Sequence, residues 1–308
     1  HHRYLHSFPT RRSSDLKALS SELRLNIFRE LLKSTLSVQK IAEIFKLPAS
    51  TAMVNINKLE EANLIQTELV SGLRGSQKIC SALYDRIVMD FIGYNPDSTT
   101  NPIYIYMPIG NFVDCDIHPS CGIVTENSAI GYFDDPRSFY EPEAVDAQLL
   151  WFRYGFVEYR FPNKIPYDSV LKSIELSMEI CSEAPLYKLD WPSDITLWIN
   201  GFEAGTWMSP GDLGGSRGFL TPAWWDINTT QYGFLKKWTV NHTGSYIDGN
   251  HTSSLTVDKL GIEGKNYFKV RIGVKDDSIN RGGLNLFGRK FGNYPQDIVA
   301  RIDTVSKP

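Results

Sequence analysis

A chain of 308 residues is longer than one small core requires and suits two domains. With 42% hydrophobic and 22% charged residues and a formal net charge of −3, its composition is that of a globular protein and excludes a long disordered or collagen-like chain. No stretch reaches the roughly 18 consecutive apolar residues that a membrane-crossing helix needs. The small net charge hides an asymmetry: residues 17–95 carry ten Lys/Arg against eight Asp/Glu, and residues 96–308 carry nineteen against twenty-six. The front of the chain can approach phosphate, whereas the back as a whole is repelled by it.

Residues 5–16 read LHSFPTRRSSDL, which resembles the translation of a short-read sequencing adapter. Residues 1–16 are therefore set aside from fold reasoning, as a fusion scar would be, and the first domain is expected to span residues 17–95.

From Ser20 the pattern turns helical. Leu23, Ile27 and Leu31 fall four apart with Phe28 and Leu32 beside them, and Ser20 suits the N-cap. Ser37 suits the cap of a second, short helix whose inner face is Val38, Ile41, Ala42 and Phe45. Leu47 and Pro48 make a turn, because proline opens a helix but does not continue one. A third helix is predicted over 49–62, with Ala52, Met53, Ile56 and Leu59 inside. Its other face presents Ser50, Thr51, Val54, Asn55 and Lys58. These types suit a major groove: Asn pairs with adenine, Val meets a thymine methyl, and Ser, Thr and Lys bind phosphate. Taken alone, the stripe is equally an ordinary solvated helix face. A strand over 64–70, a turn over 71–76 and a returning strand over 77–83 follow. Glycines bracket Arg74 at the turn, and Lys78 sits on the return, so both cations belong to a candidate wing.

Helix, short helix, turn, helix and hairpin make the winged helix-turn-helix layout, whose last helix reads DNA. The segment LSSELRLNIFRELLKSTLSVQKIAEIFKLPASTAMVNINKLEEANLI resembles the ArsR-type transcriptional regulators. The resemblance covers about 75 residues. It implies binding to double-stranded DNA, usually as a homodimer on an inverted repeat. Three departures matter. Pro48 stands where the family often has Ser, Val54–Asn55 replace its Arg-His, and residues 41–50 hold none of the thiols of the metal-sensing members.

Residues 84–91 alternate like one more strand, with a helix as the runner-up, and 95–102 read as a turn-rich linker. Beyond it, over 100–306, amphipathic helices are nearly absent. Short β-rich runs recur at 103–107, 149–156, 157–161, 174–180, 195–199, 206–207, 234–240, 254–257, 267–274, 284–287 and 298–302. Asn200–Gly201 is a hairpin signal, since both residues tolerate positive φ. The fold class expected is therefore multidomain α+β: a winged helix-turn-helix followed by an all-β sandwich or jelly roll. ITLWINGFEAGTW is similar to a strand–NG–strand element of carbohydrate-binding β-sandwich domains. The pairing of an ArsR-type head with a β-rich tail ending in GGLNLFGRKFGNYPQDI resembles an arrangement found in bacterial regulators.

The candidate ligand residues of the β region are Trp198, Trp207, Asp212, Arg217, Trp224 and Trp225. Sugar rings stack on indoles and bind carboxylates and guanidinium groups, although large aromatics also fill sandwich cores. Cys115, Asp116, His118 and Cys121 have metal-like spacing but no second Cys/His cluster, so no metal site or cofactor is expected. The four cysteines, with Cys80 and Cys181 completing the set, are too sparse for a disulfide framework and point to a reducing, cytoplasmic setting. No catalytic carboxylate pattern, G-x-S-x-G elbow or H-E-x-x-H is present, so no enzyme is expected. The expected function is a DNA-binding regulator of the ArsR type. It would be a homodimer without membrane association, responding through the sandwich to a small molecule for which a carbohydrate is the candidate. The alternative is a carbohydrate-binding or glycosidase-like sandwich with a helical oligomerisation head, and a third reading is a sandwich that only dimerises the head.

Overall fold

The computed structural model describes residues 17–72, 75–83 and 102–307. Contacts divide the chain into two compact units, His1–Gly93 and Tyr94–Pro308. Residues 1–16, the proposed strand at 84–91 and nearly all of the proposed linker lie outside the described residues.

The first unit contains helices α1 (Glu22–Lys33), α2 (Val38–Ile44) and α3 (Ala49–Glu61), with strands β1 (Leu36–Ser37), β2 (Ile65–Gly72) and β3 (Gly75–Ala82). The sheet runs β1–β3–β2, antiparallel throughout. The periodic apolar positions meet in one core: Ile27, Phe28 and Leu31 from α1, Val38, Ile41 and Ala42 from α2, and Ala52, Ile56 and Leu59 from α3. Cys80 of the wing closes it. Ser37 caps α2, its hydroxyl accepting from the Lys40 N–H at 3.2 Å. The first helix corrects the expected cap. Its N-cap is Ser21, which makes no side-chain cap bond, while the Ser20 hydroxyl donates to the Lys17 carbonyl at 2.8 Å. Helix α3 ends on Asn63 in the left-handed region (φ 52°), a conformation that Asn tolerates better than most residues.

Among its described residues the second unit has twelve antiparallel strands in two layers: β4 (Ile103–Met107), β5 (Asp114–Val124), β6 (Leu149–Pro162), β7 (Ser169–Cys181), β8 (Ser193–Ile199), β9 (Phe202–Ser209), β10 (Phe234–Asn241), β11 (Gly244–Ile247), β12 (Asn250–Ser253), β13 (Tyr267–Val274), β14 (Leu284–Phe287) and β15 (Ile298–Ser306). One layer runs β12–β11–β10–β7–β15–β4 and the other β9–β8–β13–β6–β5. The short strand β14 pairs with β6 on one side and β7 on the other, and so joins the layers at one end. Being shared, it is buried at every position, which explains its unbroken run of Leu284, Asn285, Leu286 and Phe287. The core between the layers takes alternate residues: Val157, Tyr159 and Phe161 of β6, Ile195, Leu197 and Ile199 of β8, and Phe268, Val270 and Ile272 of β13. Asn200 (φ 51°) and Gly201 (φ 86°) turn β8 into β9 as the sequence signals.

Three expectations for this unit are corrected. The runs 149–156 and 157–161 are one strand. Residues 254–257 are not a strand; Val257–Leu260 form a short 3-10 helix whose Val257 and Leu260 are buried. The segment weighed as a metal loop is β5. There Cys115 and Ile117 point into the core, while the alternate residue His118 lies on the other face, stacked on Tyr154 at 4.1 Å. Strand geometry therefore holds Cys115 and His118 on opposite faces of the sheet.

The tail motif also finds its physical reason. The Glu179 carboxylate of β7 is fully buried. It accepts backbone N–H bonds from Gly233 at 2.8 Å, Asn293 at 2.8 and 2.9 Å, and Tyr294 at 2.8 Å. The GRKFGNY loop is wrapped on this carboxylate, and at Gly292 (φ 80°) a Cβ would collide with it.

Candidate nucleic-acid interface and candidate ligand site

In α3 the inner residues Ala52, Ile56 and Leu59 are fully buried and Met53 partly so, while Ser50, Thr51, Val54 and Lys58 are exposed. Val54 is 53% exposed, an apolar residue left in solvent at the centre of the stripe. Asn55 is half-buried, and its side-chain amide donates to the Thr51 carbonyl at 2.8 Å. That bond lies along the helix surface and leaves the Asn55 carbonyl oxygen available to a base edge. Thus α3 brings all five predicted reader residues onto one helix, four of them exposed and Asn55 half-buried.

The wing is arranged differently from a row of free cations. Lys78 bonds Glu60 at 2.8 Å and Asn57 at 3.3 Å. Hydrogen bonds from Lys78 and Thr67 hold the Glu60 carboxyl below its usual range. Lys78 therefore ties β3 to the end of α3 and fixes the hairpin against the reader helix. Arg74 lies outside the described residues.

The six candidate ligand residues fall into separate neighbourhoods. Trp224 and Trp225 join Trp151, Phe133 and Phe291 in an aromatic cluster with ring centroids 5.4–6.4 Å apart. Trp225 is buried and donates to the Thr230 carbonyl, whereas Trp224 is 43% exposed and donates to the Glu126 carbonyl. Trp207 packs edge-on to Phe234, with the Lys236 ammonium 4.7 Å from its ring centre. Arg217 donates to the Pro222 carbonyl at 2.6 Å, which braces its own loop. Asp212 is fully buried and accepts from the Ala184 N–H and the Thr230 hydroxyl, both at 2.9 Å. Burial pushes its carboxyl up to about 7 against those bonds, and burial likewise pushes the Glu183 carboxyl up to about 7. In this arrangement Asp212 braces chain segments from within the core.

Trp198 is the candidate that lines a cavity. A concavity of about 300 Å³ is bounded by Glu158, Trp198, Asn200, Gly201, Lys269 and Arg271. Cross-strand pairing assembles it: Arg271 lies opposite Glu158 on one side and Trp198 on the other. The Glu158 carboxylate meets the Lys269 ammonium at 2.8 Å and the Arg271 guanidinium at 2.9 Å. Burial raises the Glu158 carboxyl, but its bonds to Lys269 and Arg271 outweigh that and hold it below the usual range. Sequence reading missed Glu158, Lys269 and Arg271. The signal was present as charged residues alternating with core positions on two predicted strands, but only strand pairing places residues 158, 198 and 271 in one row.

Residues 19–68 match the model of the helix-turn-helix domain. No curated protein sequence matches the chain. Among solved structures, the chain is similar to the Agl-KA catalytic domain, at 9% identity and a TM-score of 0.29, over 70% of this chain and 30% of that one. It is also similar to a botulinum neurotoxin type C structure whose title describes interaction with two ganglioside molecules (12% identity, TM-score 0.23, 80% and 49% covered). A third similarity is to the cellulose induced protein Cip1 (12% identity, TM-score 0.20, 61% and 86% covered). The chain spans under a third of the length of the first of these structures, and at such scores none bears on function. Among the described residues no helix is long and apolar enough to cross a membrane. The head of this chain carries a helix-turn-helix domain, the architecture of DNA-binding regulators.

Proposed function

We propose that the protein is a sequence-specific transcriptional regulator of the ArsR type, acting as a homodimer on an inverted-repeat operator. The carrying observation is the α3 face of Ser50, Thr51, Val54, Asn55 and Lys58, set outward from a buried inner stripe within the matched domain. The metal-sensing thiols are missing from residues 41–50, so the signal is assigned to the β-sandwich unit, as a small molecule of carbohydrate type. Such a ligand acts only through a different affinity for two arrangements of the dimer. The protein works where the DNA is, without a membrane.

The test is binding of the full chain to the DNA upstream of its own gene, across a salt series. Lys58→Ala is expected to weaken binding to all sequences alike and to lower the salt slope by about 1. Asn55→Ala is expected to lose about 1–3 kcal/mol on the operator and little elsewhere. Unchanged affinity in both variants would overturn α3 as the reader. Sedimentation of the free protein as a monomer at micromolar concentration would overturn the dimer.

A further inference from the structure

The concavity at Trp198 is more than a cross-strand ion pair. Two cations, Lys269 and Arg271, converge on one carboxylate, Glu158, whose side chain is only 6% exposed, while theirs are 42% and 38% exposed. A third cation, Arg160, lies directly across from Lys269 in register, and its guanidinium stacks on Tyr267 at 5.0 Å. The neighbouring carboxylates do not cancel this excess at the cavity. Glu203, opposite Trp198, is engaged by Lys275 at 2.9 Å, and Asp114 lies across Glu158 on the far strand β5. Arg271 is further fixed by stacking 3.7 Å from the Phe156 ring centre. The result is a preset pair of donors beside an indole, with net positive charge.

We propose that this cavity binds the effector, and that the effector is a sugar acid of one ring, a hexuronate. The apolar C–H face of a pyranose suits the Trp198 indole. A carboxylate at its edge suits the outward N–H groups of Lys269 and Arg271, since charge-assisted bonds to carboxylate are the strong ones. Asn200 is fixed at the cavity edge by its own amide, which donates to the Leu260 carbonyl and accepts from the Lys269 N–H, each at 2.8 Å. The volume of about 300 Å³ suits one ring. The site deepens the effector half of the function proposed above and does not depend on how the head reads DNA.

The experiment is calorimetric titration of the full chain, without DNA, with glucuronate, glucose, acetate and benzoate. Glucuronate is expected to bind saturably, and each of the other three at least about tenfold more weakly, because each lacks the carboxylate or the pyranose face. Trp198→Ala and Lys269→Gln are each expected to raise the glucuronate Kd by about tenfold or more. Arg160→Gln, which lies outside the Glu158 pairs and is exposed, is expected to raise it a few-fold and keeps the test valid should either of the other variants fail to fold. Binding of glucuronate should weaken with added salt. The proposal is overturned if glucuronate gives no saturable heat, if glucose, acetate or benzoate binds as well, or if the folded variants bind unchanged. Any of those results leaves the helix-turn-helix reading intact, and loss of DNA binding in Lys58→Ala leaves the site intact.

Discussion

The two units present their candidate residues in opposite ways. In the head, the five candidate reader residues are neighbours on one helix, spaced by its period, above a core shared by all three helices. In the sandwich, the cavity residues Glu158, Trp198, Lys269 and Arg271 come from three strands spread over more than a hundred positions. A helix carries its site locally, whereas a sheet assembles its site by register. Damage to the head should therefore be local and damage to the sandwich cooperative. All seven tryptophans lie beyond residue 150, so indole fluorescence reports the sandwich alone and separates the two responses.

The largest effect is expected from Glu179→Ala. It removes the acceptor of the Gly233, Asn293 and Tyr294 backbone N–H groups, and each buried N–H left without an acceptor costs about 1–3 kcal/mol. The urea midpoint read by fluorescence should fall accordingly, while DNA binding below that midpoint stays unchanged. A midpoint within error of the parent would show that the loop is held by something else. Ile56→Ala opens the small core of the head and should cost about 2–4 kcal/mol. Its loss should appear in far-ultraviolet helicity and DNA binding without moving the fluorescence transition. If the fluorescence midpoint moves equally, the head and sandwich are not the independent folding units the comparison makes them.

A smaller effect is expected from pH. The Asp212 and Glu183 carboxyls are raised to about 7 in the folded state, above their unfolded values near 4. Between those values the native protein holds more protons than the unfolded chain, so this contribution is full at low pH and is lost as pH rises through about 7. Glu158 has the opposite sign: its lowered carboxyl stabilises above its unfolded value and is lost in acid. Asp212→Asn should flatten the fall in the fluorescence-detected midpoint between pH 5 and 8. An unaltered slope would assign that fall to other groups. The smallest effect is expected in the head from Lys78→Met, since the pair with Glu60 is partly exposed and such pairs contribute under about 1 kcal/mol. A loss of DNA affinity much larger than the loss of stability would show that Lys78 leaves Glu60 for phosphate.

Much of this molecule was legible in its residues. The 3.6-residue spacing of Ile27, Ile41 and Ile56 with their neighbours predicts three helices and their inner faces. Short β-rich runs predict β10, β13 and β14 almost to the residue, and Asn200–Gly201 predicts its turn. These features are local, since propensity and period act over a few residues. The role of Glu179, the opposition of Cys115 and His118, and the shared strand β14 were not legible, because each depends on which strand lies beside which. Aromatic density alone pointed to 198–225 as one site. The structure separates Trp225 and Asp212, which brace the interior, from Trp198, which lines a cavity with residues from two other strands. The sequence by itself determined the head, the outward polar face of α3 and the β character of the rest. The tertiary structure alone decided where charge and aromatic surface meet in the sandwich, because long-range register carries no signature within any single strand.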